Sequence, residues 1–114
     1  MTARSPSNAP SGDQHEIAHG DQRAVVVEVG GGLRIYDDEQ GPLLDGYLSD
    51  EMCGGGRGQP LLPWPNRVRD GTYEFDGQTC QLSLTEPEAH NAIHGLARWA
   101  NWSVRERAGD RVTM

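Results

Sequence analysis

Thr72-Tyr73-Glu74-Phe75-Asp76-Gly77-Gln78-Thr79-Cys80-Gln81-Leu82-Ser83-Leu84 is the stretch that decides the fold class. Asp-Gly between two alternating runs is a preferred two-residue hairpin turn, because both central residues must take positive φ. Tyr73 and Phe75 share one strand face; Cys80, Leu82 and Leu84 share another. No segment of the chain sustains an apolar period of 3.6, so the reading is all-β, with loops between strands.

Upstream of the hairpin stands Gln59-Pro60-Leu61-Leu62-Pro63-Trp64-Pro65-Asn66-Arg67-Val68. Its prolines remove backbone donors, fix φ and push the preceding residues into extended geometry, which excludes a helix or a central strand. A stiff, aromatic-bearing segment of this kind delivers Asn66 and Arg67 to one place. An amide beside a guanidinium suits a neutral polar ligand, and ordering them beforehand lowers the entropic cost of binding. The plain alternative is a proline-rich surface loop with a solvated Arg67.

Downstream, Thr85-Glu86-Pro87-Glu88 breaks the second strand, and residues 89–96 form a compact segment containing His90-Asn91-Ala92-Ile93-His94-Gly95. A histidine titrating near neutrality exchanges hydrogen bonds and protons with a sugar oxygen, and Gly95 permits close approach of a ligand or of backbone. The alternative for His94 is a ring that satisfies loop carbonyls. His90 and His94 would face one metal on a helical turn, but no third ligand stands nearby. Trp99, Trp102 and Val104 then lead into strands expected around 103–107 and 111–114.

In the N-terminal half, Ala24-Val25-Val26-Val27-Glu28-Val29 reads as a β-branched strand, Gly30-Gly31-Gly32 as a reversal and Leu33-Arg34-Ile35-Tyr36 as a half-buried second strand. A third strand is expected at 43–48. Gly54-Gly55-Gly56-Arg57-Gly58 is no phosphate loop, since a proline segment follows it where a helix is required. Residues 1–23 are polar and poor in aliphatics, and are expected to form a disordered tail ahead of a domain at 24–114. Within them His15-Glu16-Ile17-Ala18-His19 matches the H-E-x-x-H zinc pattern, but flanking glycines leave no helix to carry it.

Seventeen acidic residues against ten basic ones, all arginine and scattered, give a formal charge of −7. That balance argues against nucleic acid, whose phosphates require a basic stripe. No apolar run is long enough for a membrane helix, and no secretory leader is read, so a cytoplasmic location is expected. Cys53 and Cys80 are then expected as free thiols, and the Asn101-Trp102-Ser103 sequon as a chance match. With 35% hydrophobic residues in 114, the core is thin for a self-sufficient domain.

Pro63-Trp64-Pro65-Asn66-Arg67-Val68, the hairpin at 71–77 and Asn91-Ala92-Ile93-His94-Gly95, in this order and separation, resemble the aldose 1-epimerase (galactose mutarotase) family. The resemblance runs from about Val25 to the last residue and covers only the N-terminal part of a family domain. It implies a large antiparallel β-sandwich, incomplete in this chain, with a hexose such as galactose or glucose bound on a concave face. It also implies acid-base opening of the hemiacetal ring, rotation about C1–C2 and reclosure on either face.

Carried over by position, Arg67 resembles the arginine that bonds sugar hydroxyls, Asn66 its neighbour, and His94 the first active-site histidine. No metal or organic cofactor is implied. The family's general-acid histidine, acidic substrate ligand and glutamate base have no counterpart; after His94 the carboxylates are Glu106 and Asp110. The expectation is an N-terminal fragment, inactive alone and calling for a complementing C-terminal portion. Three alternatives stand beside it: a noncatalytic carbohydrate-binding module, an interaction protein pairing through open strand edges, and a branch acting on hexose 6-phosphates, with Arg57 or Arg69 facing the phosphate.

Overall fold

The computed structural model describes residues 9–114. Among the described residues all regular structure is β apart from one 3₁₀ turn at Pro87–Ala89. The described residues form two compact units, one made of those up to Pro60 together with Arg98–Met114, the other of Leu61–Ala97.

The first unit is built on β1 (Gln14–His19), β2 (Gln22–Val27), β3 (Leu33–Asp38) and β4 (Gly41–Pro42), in that order in one antiparallel sheet. Val25, Val26 and Val27 are all buried, so β2 is covered on both faces. Each such side chain contributes about 1.5–3 kcal/mol when fully withdrawn from water. The expected reversal falls at Gly30 and Gly31, both at positive φ. A Cβ on Gly31 would press into the Trp102 ring, which follows the closing backbone bond from Trp102 N–H to the Glu28 carbonyl (2.7 Å).

Two expectations for this unit are corrected. The tail at 1–23 is not structureless in its second half, because residues 14–19 pair along their whole length with β2; residues 1–8 of it lie outside the described residues. The inward position that would flag β1 as a strand is filled by His15. That ring is buried and satisfied by the Glu28 carboxylate at 3.0 Å, with Arg107 Nη1 3.4 Å from its other nitrogen. In an extended strand His15 and His19 stand about 13 Å apart, too far to share a metal. The strand expected at 43–48 is also absent: Leu43 and Leu44 N–H both donate to the Tyr36 carbonyl, and the segment continues as coil.

The C-terminal stretch of the unit ends in the antiparallel pair β9 (Glu106–Ala108) and β10 (Arg111–Thr113); β10 falls where expected, whereas β9 begins three residues later than the expected 103. Cys53 and Cys80 are free thiols. Cys53 is buried and donates to the Arg57 carbonyl at 3.1 Å, and its pKa is raised by that burial.

The second unit contains β5 (Arg67–Arg69), β6 (Thr72–Phe75), β7 (Gln78–Gln81) and β8 (Asn91–Ile93). The Asp76-Gly77 hairpin joins β6 to β7 with both turn residues at positive φ, as the sequence requires. Its second strand stops at Gln81 rather than Leu84. β5 pairs antiparallel with β8, matching Arg67 to Ile93, Val68 to Ala92 and Arg69 to Asn91. Ala92 and Ile93 are the buried residues of that ladder.

Candidate functional site

The β5–β8 ladder is three pairs long and closes at each end on two residues in the left-handed region: Asn66 and His94 at one end, Asp70 and His90 at the other. Asn, Asp and His are the non-glycine residues that enter this region most readily. At the first end His94 N–H donates to the Asn66 carbonyl (2.9 Å), while Asn66 N–H donates to His94 Nδ1 (3.0 Å). At the second, Asp70 N–H donates to the His90 carbonyl (2.8 Å), and His90 Nδ1 lies 2.8 Å from the Asp70 carboxylate.

Gly95 fixes the first end to the proline segment. It sits at φ +73°, and an added Cβ would collide with the Leu62 carbonyl, which accepts from Leu96 N–H at 2.6 Å. The close approach that Gly95 permits is thus made by backbone. The Leu62–Pro63 peptide bond is cis.

Arg67 projects from this same end. Its Nε and Nη2 donate to Glu86 Oε1 and Oε2 at 2.7 and 3.0 Å, a two-pronged ion pair, and Nη1 reaches Asn66 Oδ1 at 3.4 Å. Asn91 Nδ2 adds a bond to Glu86 Oε1 at 3.1 Å, and the backbones of Glu86 and Asn91 donate to one another at 2.9 and 3.1 Å. Hydrogen bonds from Arg67 first and Asn91 second hold the Glu86 carboxyl down, from an ordinary 4.5 to about 2. Planar guanidinium facing carboxylate in this way is the geometry in which both hydrogen bonds are strong.

The chemistry of His94 follows from one bond. A neutral ring accepting a backbone N–H at Nδ1 carries its proton on Nε2, so it offers that N–H as a donor. His90 is set the opposite way, since a carboxylate at Nδ1 requires the proton there. Asn66, Arg67 and His94, expected together from sequence, are brought together here: Asn66 bonds both others. The side chains are exposed or half-buried and free to meet a solute.

Glu86 is the residue that sequence reasoning missed. It was visible only as part of a strand break ahead of Pro87, and its partner lies 19 positions away. Alternation puts Val68 on the opposite face of β5 from Arg67. There it lines an apolar cleft of about 340 Å³ with Pro63, Trp64, Tyr73, Leu82 and Leu96. A larger cavity of about 440 Å³ lies in the first unit, beside Ile35, Leu44 and Tyr47, and involves none of the three site residues. Among the described residues no three His, Cys, Asp or Glu side chains gather as a metal would require.

Comparison with known proteins bears on most of the described chain. The family model described as aldose 1-epimerase matches residues 13–114. The protein YihR of Escherichia coli (strain K12) is 36% identical over 104 residues, 91% of this chain and 34% of its own length. A solved Escherichia coli K12 structure carrying an aldose 1-epimerase designation superposes with a TM-score of 0.73 at 22% identity, over 88% of this chain and 34% of that one. A galactose mutarotase-like protein of Clostridium acetobutylicum gives 0.69 at 26% identity, over 84% of this chain and 31% of that one. The chain thus spans about a third of the length of these relatives.

Proposed function

Because the chain belongs to the aldose 1-epimerase family, we propose that the Asn66, Arg67 and His94 end of its β5–β8 ladder is the sugar-holding side of a mutarotase site, which interconverts the α and β anomers of a hexose such as galactose. Arg67 bonds sugar hydroxyls, and His94 directs its Nε2–H at the ring oxygen, where negative charge develops as the hemiacetal opens. The observation that carries this reading is the bond from Asn66 N–H to His94 Nδ1 at 3.0 Å, which fixes a proton donor beside a polar, partly open guanidinium.

Mutarotation also requires a base at the anomeric hydroxyl. Glu86 does not serve, because both its oxygens are engaged by Arg67 and Asn91 and its pKa of about 2 makes it a weak proton acceptor. On this reading the chain supplies binding and one histidine, and the base and second histidine come from a complementing portion. General acid and base groups each supply about 10²–10⁴ in rate, so without these two the 114-residue chain alone falls short of an enzymatic rate by two such factors.

Polarimetry on freshly dissolved α-galactose, run beside a galactose titration followed by amide resonances, tests both halves. The expected result is sugar-dependent shifts at Asn66, Arg67 and His94 with an uncatalysed approach to the anomeric equilibrium. Catalysed mutarotation would show that the base is present in this chain; absence of any shift would remove the sugar site.

A further inference from the structure

Resting on that reading of the site, we infer that Glu86 is a positioning and specificity-determining residue: by clamping and neutralising Arg67 it turns a general anion receptor into a receptor for uncharged hydroxyls.

The geometry separates what Arg67 gives to the protein from what it keeps for a ligand. A guanidinium carries five N–H bonds in a fixed plane. Nε and Nη2 each give one to Glu86, at 2.7 and 3.0 Å, and Nη1 directs one toward Asn66 Oδ1 at 3.4 Å. One hydrogen on each terminal nitrogen remains. A planar group held along one edge cannot rotate, so these two donors point in a fixed direction, as a receptor for neighbouring oxygens requires.

Charge decides which oxygens. An unpaired arginine attracts phosphate or carboxylate strongly and often with two bonds. Here the Glu86 carboxylate cancels the charge; Asn91 Nδ2 holds that carboxylate, and the Asn91 backbone holds the Glu86 backbone beneath it. An incoming anion meets an arginine already paired and a carboxylate that repels it, whereas a hydroxyl accepts from the free N–H bonds without penalty. Arg67 therefore grips neutral sugar hydroxyls, and a phosphorylated sugar gains nothing from it.

The test measures D-galactose and inorganic phosphate binding to the 114-residue chain by amide and arginine Nε–H resonances, in wild type, Glu86→Gln and Glu86→Asp. In wild type the Arg67 Nε–H signal is expected to be protected, galactose to shift it and phosphate to leave it unmoved. Glu86→Gln should lose the protection, weaken galactose and tighten phosphate each by about fivefold, the upper end for a charge pair screened by solvent. Glu86→Asp keeps the charge and should still exclude phosphate, even where its shorter reach weakens galactose.

A Glu86→Gln protein with wild-type preference between the two ligands would overturn the role of Glu86, and so would phosphate capture by wild type. Failure of the functional reading is distinguishable, because wild type would then bind no galactose while the phosphate arm still reports on Glu86. Should Glu86→Gln lose its β5–β8 amide pattern, Glu86→Asp decides: exclusion of phosphate supports the role, capture overturns it.

Discussion

The two ends of the β5–β8 ladder are built from similar parts and prepared for opposite chemistry. Each closes on a histidine in the left-handed region, and each histidine has its Nδ1 held from across the ladder. At the Asn66 end the holder is a backbone donor, so Nδ1 accepts and the ring proton is carried on Nε2. At the Asp70 end the holder is a carboxylate, so the proton faces inward. The first end also has Arg67, clamped by Glu86; the second offers only an exposed contact between ring and carboxylate, with His90 at 65% and Asp70 at 55%. Histidine itself is therefore not the mark of the site. The partner of its Nδ1 is.

The sharpest way to break the comparison is to unfasten one end alone. Gly95→Ala places a Cβ against the Leu62 carbonyl at a φ of +73° and should destabilise the chain by about 2 kcal/mol or more in urea unfolding. Next in size, Arg67→Ala should weaken galactose binding by about 1.5–3 kcal/mol, the scale of a hydrogen bond to a charged donor, as read by titration. His90→Ala should leave the same titration unchanged, and an equal loss from both would erase the distinction between the ends.

Acid supplies a subtler test. The Glu86 carboxyl titrates at about 2 when folded against 4.5 ordinarily. Its contribution to stability is therefore fully present above 4.5 and is lost as pH falls toward 2. Thermal midpoints of wild type and Glu86→Gln should differ near neutrality and converge across that window. The smallest effect expected is that of Asn66→Gly, which keeps the backbone N–H to His94 and relaxes the positive φ; stability should move by only a few tenths of a kcal/mol.

How much of this was legible in the sequence varies with the kind of interaction. The Asp76-Gly77 turn and the Gly30-Gly31 reversal were readable because glycine and aspartate chemistry is local. That Arg67 and His94 come together was readable through motifs on either side of the hairpin. β1 was not, because a buried histidine occupies the inward position where an aliphatic side chain would have announced a strand. Nor was Glu86, whose role depends on a partner placed by tertiary pairing. The expected strand at 43–48 failed for a complementary reason: its leucines were suited to a strand, but the N–H groups of Leu43 and Leu44 both turn back to the Tyr36 carbonyl.

The central claim is that His94 presents Nε2–H to a sugar and that His90 does not. Long-range proton–nitrogen correlation of the imidazole rings, recorded with and without D-galactose, tests it most directly. The account predicts a neutral His94 with its proton on Nε2, a ring signal that moves on adding galactose, and a His90 signal that stays in place. A His94 ring protonated at Nδ1, or a galactose response at His90 in place of His94, would contradict it.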